Sequence, residues 1–141
     1  MLGVHFAITS AQASALLAAA GDDEEVGEFL EELEESWAED ELKVDTDQAW
    51  KAIDRCLARS GYPLSHAVLG GDHLHGDYYV VYVEPAEVQD VATALLSLDE
   101  LWLRARLDTD DFDYVWPHFS DVRAFYQRAA ASGRAVLFTA T

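Results

Sequence analysis

The fold is decided by residues 62–88, which read YPLSHAVLGGDHLHGDYYVVYVEPAEV. Within this stretch, residues 78–83 are all aromatic or β-branched, a composition typical of a strand. Because no polar residue interrupts the run, we expect both faces of the strand to be covered. Gly70 and Gly71 predict a turn, and residues 65–69 form either a short strand or a single helical turn.

Upstream of this stretch, the sequence predicts a strand over residues 4–8 followed by helices. Thr9 and Gln12 have the spacing of a capping box, and Gly21 stands where a helix of this length would end. Residues 22–37 predict an acidic helix whose apolar positions recur at i, i+3, i+4, i+7 and i+11. A third helix is expected to begin at a cap formed by Asp45 or Thr46 and to end near Ser60 and Gly61.

Downstream, the pattern predicts three more helices and a closing strand. The helices are one beginning at Pro85, a short one from a cap at Asp99 to about Leu107, and a last one from Pro117 or Ser120 to Gly133. The closing strand covers residues 135–139. The fold class is therefore α+β: one domain over residues 1–141, with a small mixed or antiparallel sheet of three to four strands and about five to six helices.

Composition limits the classes of partner. The chain of 141 residues has a formal net charge of −18, which disfavours nucleic acid and anionic membranes and favours a basic protein partner. No apolar run approaches the roughly 18 residues needed to cross a bilayer. Cys56 is the only cysteine, so no disulfide forms within the chain. We expect a cytoplasmic protein without a cofactor.

The densest group of metal-ligating residue types consists of His66, Asp72, His73 and His75. On an extended segment His73 and His75 project from the same face, because side chains alternate along a strand. Two imidazoles with His66 or Asp72 as third ligand would suit zinc or another divalent cation. The alternative is a polar loop in which these histidines are solvated or bonded to the backbone. The aspartates of residues 108–113 lack the glycine and the final glutamate of a calcium loop.

Other candidate ligand-binding residues are Ser65, His66, Trp50, Trp116 and His118. Trp50 falls on a predicted inner helix face, whereas Trp116 and His118 lie in a less regular stretch that can line a pocket. Ser65 beside His66 suggests a nucleophile, but the surrounding residues do not form a nucleophile elbow. We therefore assign no catalytic residue.

Three features resemble the YfbM-like family of small bacterial proteins, which contain a domain of unknown function. They are residues 63–70 without His66, the segment from Asp47 to Trp50 after an acidic stretch, and a C-terminal helix leading into residues 135–139. The resemblance extends over nearly the whole chain and implies an α+β fold in a bacterial cytoplasmic protein. It implies no activity, and the histidines at positions 66, 73 and 75 lie outside it.

Two functions fit these observations. The first is a non-enzymatic acidic binding module that neutralises a basic partner, since the acidic helix carries a continuous charged face. The second is a metal-assisted hydrolase or a small-molecule-binding protein, with its site around His66, Asp72, His73 and His75.

Overall fold

The computed structural model describes residues 1–108 and 110–141, which form one α+β domain around a five-stranded antiparallel sheet. The strands are β1 (Gly3–Ile8), β2 (Lys43–Asp47), β3 (Asp72–His73), β4 (Tyr79–Val83) and β5 (Ala135–Ala140). Their order across the sheet is β2-β1-β5-β4-β3. The predicted fold class is confirmed, but the predicted sheet of three to four strands was too small.

Among the described residues six α-helices cover the sheet, in agreement with the predicted number. They are α1 (Ser10–Ala19), α2 (Asp23–Ser36), α3 (Trp50–Ala58), α4 (Pro85–Leu95), α5 (Glu100–Arg106) and α6 (Phe112–Ala131). The buried residues of α1 and α2 form one core with one face of the sheet. Those of α3, α4, α5 and α6 form a second core with the opposite face.

The centre of the sheet is the pair of strands from the two ends of the chain. β1 and β5 run antiparallel from Gly3 opposite Ala140 to Ile8 opposite Ala135. Every residue of β5 is buried. Both faces of this pair are largely apolar, with His5 and Thr139 as buried polar exceptions, so the sheet requires helices on each side.

β4 confirms the prediction that residues 78–83 form a strand covered on both faces, except that the strand begins at Tyr79. Val80 and Tyr82 belong to the core beneath α1 and α2. Val81 and Val83 belong to the core on the other face. The alternation of side chains along one apolar strand thus supplies both cores.

The expected helix cap at Asp45 or Thr46 was wrong, because both residues lie in β2. Val44 and Thr46 are buried and the three residues that alternate with them are not, as expected of a strand with one covered face. The buried Thr46 hydroxyl donates a hydrogen bond to the carbonyl oxygen of Gly3 at 2.9 Å. Pairing with β1 thereby delays the third helix until Trp50.

The last helix begins earlier than predicted, at Phe112 instead of Pro117 or Ser120. Pro117 lies inside the helix, where its missing N–H removes one backbone hydrogen bond. The first turns are nonetheless held inward, because Trp116 stacks on Phe112 and Phe119 with ring centroids 6.1 and 5.9 Å apart. Within the acidic segment of residues 108–113, position 109 lies outside the described residues.

The short segment after α3 is fixed to the core through one carbonyl group. Residues Leu64–His66 form a 3₁₀ turn, which resolves the alternatives of strand and helical turn. His5 Nε2 and the Tyr126 hydroxyl both donate to the carbonyl oxygen of Ala67, at 2.8 and 2.7 Å. These bonds satisfy the Tyr126 hydroxyl and one ring nitrogen of His5, two side chains that are fully buried, whereas His5 Nδ1 has no hydrogen-bond partner among the described residues.

Buried His5 makes the protein less stable in acid. Burial lowers the pKa of His5 from 6.5 to about 4, since a charged imidazole is poorly solvated in the core. As the pH falls, His5 takes up a proton in the unfolded chain before it does so in the folded chain. The contribution of neutral His5 to stability is therefore complete above about pH 6.5 and falls as the pH approaches 4. The loss reaches roughly 3 kcal/mol, at about 1.4 kcal/mol per pKa unit. Urea unfolding between about pH 7.5 and pH 4.5 should show it.

His5→Phe is the control for this effect, since an aromatic ring of similar shape suits the contacts with Phe125, Tyr126 and Phe138. The free energy of unfolding of the variant should depend less on pH, because unfolding takes up about one proton fewer in this window. An unchanged pH dependence would show that carboxylates alone cause the acid sensitivity.

Candidate functional site

Helix α2 presents a continuous acidic surface. Val26, Leu30 and Leu33 are buried beneath it, and Asp22 caps the helix by accepting hydrogen bonds from the amides of Glu24 and Glu25. Seven glutamates are exposed on the outer side: Glu24, Glu25, Glu28, Glu31, Glu32, Glu34 and Glu35. None of them forms an ion pair with a residue that the structure describes. Their charge is therefore available to a cationic partner.

The neighbouring helix α1 has no charged residue at all. Its exposed residues are alanines, serines and Leu17, which is 46% exposed. Between α1 and α2 lies a groove of about 280 Å³ lined by Ala11, Gln12, Ala15, Phe29, Glu32, Leu33 and Ser36. An apolar groove thus lies directly beside the unpaired carboxylates, an arrangement that suits an amphipathic helix with basic flanks.

The four residues of the predicted metal set are held by separate local contacts. His66 Nδ1 contacts a carboxylate oxygen of Glu87. His73 Nε2 is 2.7 Å from the carbonyl oxygen of Leu69. Asp72 pairs with Tyr82 at the edge of the sheet, and both Asp72 and His73 are exposed.

His75 instead organises the turn before β4. Its Nδ1 accepts hydrogen bonds from the amides of Asp77 and Tyr78, at 3.0 and 3.2 Å. Asp23 accepts from the amide of Gly76, which ties this turn to the start of α2. His73 and His75 thus contact backbone groups, whereas His66 contacts a side chain.

A different trio of ligand types comes together at this turn. Ligand atoms of Asp23, His75 and Asp77 all lie within 4.8 Å of one another, and no other group of three meets that distance among residues 1–108 and 110–141. Because Nδ1 of His75 accepts two backbone hydrogen bonds, its lone pair is already used. His66, Asp72 and His73 do not belong to this trio, so the predicted four residues do not converge.

Ser65 and His66 lie on the 3₁₀ turn against α4. The His66 ring packs edge-on against Tyr62 at 4.9 Å, and the Tyr62 hydroxyl donates to Asp90. That bond to Asp90 raises the pKa of Tyr62 to about 12. The bond from Tyr62 to Asp90 and the contact of His66 with Glu87 together hold the turn against α4.

The predicted aromatic residues lie in separate settings. Trp116 stacks between Phe112 and Phe119 in α6. The His118 ring packs edge-on against Tyr114 at 5.2 Å, and its buried Nδ1 has no hydrogen-bond partner in the described part of the chain. Trp50 lines a surface cleft that includes neither Trp116 nor His118.

The cleft at Trp50 has a volume of about 350 Å³ and is lined by Met1, Trp50, Lys51, Asp54, Arg55, Leu69 and Tyr79. Of these residues the sequence analysis singled out only Trp50, because polar residues such as Lys51, Asp54 and Arg55 on a helix are ordinarily exposed to solvent. Burial raises the pKa of Asp54 above its usual value. A polar helix face was the available signal, and only the approach of Leu69 and Tyr79 turns it into a cleft.

The profile of a family described as "Domain of unknown function (DUF1877)" matches residues 1–139. The chain belongs to this family. A solved structure, described as a protein of unknown function, YfbM, from Escherichia coli, is similar to this DUF1877 chain with a TM-score of 0.74. The two are 19% identical, and the alignment covers 99% of each chain. These findings confirm the resemblance to the YfbM-like family.

At this level of identity the similarity extends to the fold alone. No functionally curated protein matches this member of the DUF1877 family. Within the described residues, none of its helices combines the length and the apolar character that crossing a bilayer demands.

The turn carrying Ser65 and His66 depends on a glycine at position 70. A Cβ added to Gly70 would lie 2.1 Å from the carbonyl oxygen of Ser65 and 3.1 Å from the His66 ring. Since backbone atoms cannot move aside cheaply, Gly70→Ala should destabilise the protein by about 2 kcal/mol or more. Thermal unfolding monitored by circular dichroism measures this loss.

Gly27→Ala is the matched control, because a Cβ at Gly27 in α2 would meet no atom of the described residues within 4 Å. Alanine is favoured over glycine inside a helix by roughly 0.5–1 kcal/mol, so this variant should be slightly more stable. Equal destabilisation by both substitutions would contradict the close packing of Gly70 on the turn.

Proposed function

We propose that this protein is a non-enzymatic binding module that holds a basic amphipathic helix against α1 and α2. The observation that carries the proposal is the position of an uncharged helix, and of the groove beside it, next to seven exposed glutamates without ion-pair partners in the described chain. Apolar side chains of the partner would enter the groove, and lysines or arginines beside them would face α2.

Charge and local structure support the assignment. The net charge of −18 attracts cationic segments over long range and raises the rate of encounter. Ala11 and Ala15 are small, so a partner helix can approach α1 closely. Phe29 and Leu33 provide the apolar floor at which an anchoring leucine or phenylalanine would lose contact with water.

We further propose that the protein acts in the cytoplasm and that it neutralises its partner by covering that partner's basic surface. A free, buried cysteine suits a reducing compartment. Neutralisation follows from geometry, because a helix seated in the groove is no longer accessible to other binders.

The charge contribution is tested with a synthetic helical peptide that has leucines on one face and lysines on the other. Replacing four α2 residues, Glu28, Glu31, Glu32 and Glu35, by glutamine should weaken binding about tenfold or more at low salt. Each exposed charge pair contributes a few tenths of a kcal/mol, and the sum is screened as salt is added. Fluorescence anisotropy measures the affinities.

The matched control removes the same amount of charge elsewhere, through Glu84→Gln, Glu100→Gln, Asp113→Asn and Asp121→Asn. These four carboxylates are exposed and form no ion pair with a described residue. This variant should bind nearly as well as the native chain. Equal losses in both variants would show attraction by net charge alone and would count against a defined surface on α2.

The groove is tested by Ala15→Glu, which fills it while making the protein more acidic. If apolar contacts in the groove contribute, affinity for the amphipathic peptide should fall about tenfold despite the added negative charge. Ala18→Glu is the control, because Ala18 is exposed on α1 without lining the groove. Circular dichroism should show that both variants are folded; tighter binding by Ala15→Glu would contradict a role for the groove.

A further inference from the structure

The second surface with the features of a binding site is the cleft at Trp50, which lies apart from the α1–α2 groove. Trp50 belongs to the core on the face of the sheet opposite α1 and α2, and Leu69 packs against that core. None of the described residues lines both the cleft and the groove. At about 350 Å³ the cleft is close to the lower end of the range for small-molecule sites, which is roughly 300–1,000 Å³.

The aromatic wall of the cleft is held rigidly. Trp50 is 3% exposed, and its Nε1 donates a hydrogen bond to the carbonyl oxygen of Met1 at 3.2 Å. Tyr79 meets the indole edge-on with ring centroids 5.5 Å apart. Behind the indole, a Cβ at Gly3 would lie 2.4 Å from Trp50, so the strand leaves no free space there. A ligand therefore meets a wall that is already in place, which reduces the entropic cost of binding.

One unpaired carboxylate lies in this cleft. Asp54 accepts a hydrogen bond from the amide of Leu69 at 3.3 Å through one oxygen. It forms no ion pair with any residue in the described ranges. Desolvation is the main cause of its raised pKa, so a cation placed against it would relieve an unfavourable burial.

Two cations border the same cleft. Lys51 and Arg55 are four residues apart on α3 and so lie on one side of the helix, with Asp54 between them in sequence. The Lys51 ammonium is 5.6 Å from the centroid of the Trp50 ring. Arg55 is 3.7 Å from Asp108, a contact that is half exposed and readily exchanged. The cleft thus offers both signs of charge beside an apolar wall.

We infer that this cleft binds a small zwitterion with a large apolar body, of the chemical class of a free aromatic or aliphatic amino acid. The ammonium group of the ligand pairs with Asp54, and its carboxylate faces Lys51 and Arg55. The apolar side chain packs against Trp50, Leu69 and Tyr79. A ligand with only one charge would leave one sign of the site without a partner, and so it binds more weakly.

Three related probes test this inference by chemical-shift titration of the ¹⁵N-labelled full chain. L-phenylalanine carries both charges, 2-phenylethylamine lacks the carboxylate, and 3-phenylpropanoate lacks the ammonium group. L-phenylalanine at millimolar concentration should shift the Trp50 indole N–H and the Leu69 amide. Its affinity should exceed that of either singly charged analogue about fivefold or more.

Two substitutions identify the charges involved. Asp54→Asn keeps an acceptor for the Leu69 amide and should abolish the preference for L-phenylalanine over 3-phenylpropanoate. Lys51→Gln should reduce the preference for L-phenylalanine over 2-phenylethylamine. Part of this preference should remain, because Arg55 still faces the carboxylate of the ligand. Asp121→Asn, on the exposed side of α6, should leave all three affinities unchanged.

The inference is overturned if no probe shifts the cleft resonances, or if one analogue binds as tightly as L-phenylalanine. Asp54→Asn binding all three probes like the native chain would also overturn it. These outcomes are independent of the proposed helix-binding function, because the α2 glutamine variant should bind L-phenylalanine normally. Conversely, Asp54→Asn should bind the amphipathic peptide like the native chain.

Discussion

The structure depends on a strand pair that must be kept from water on both faces. β1 and β5 come from opposite ends of the chain, and neither can bury its apolar residues alone. Once paired, with β4 beside them, they form a sheet that requires a helical layer on each side. Hydrophobic burial on two faces, at roughly 25 cal/mol per Å² of apolar surface, is the dominant favourable contribution to such an architecture.

The two helical layers give the protein two different exteriors. The α1–α2 layer is thin, and its outer side combines an uncharged helix with a strongly acidic one. The opposite layer is thicker and carries most of the arginines, together with the stacked aromatic residues of α5 and α6. A single sheet thereby separates the proposed helix-binding surface from the cleft at Trp50.

Buried polar groups connect the sheet and helix α6 to residues 62–88, the segment that decided the fold. The carbonyl oxygen of Ala67 accepts from both His5 and Tyr126, so one peptide group links the first strand, the last helix and the turn after α3. Leu69, two residues later, donates to Asp54 and lies beside His73. Of the residues that looked like metal ligands in sequence, His66 joins this turn to α4 and His73 joins it to the edge strand.

Local patterns in the sequence determined most of the helices, the strand beginning at Tyr79 and the acidic surface of α2, because periodicity and capping residues act over a few positions. Tertiary structure alone decided the rest. Residues 43–47 become a strand only because Val44 and Thr46 are placed beside β1. Asp54 likewise faces a cleft only because Leu69 and Tyr79 approach it. Such contacts join residues far apart in the chain, and their energies exist only after the chain has folded.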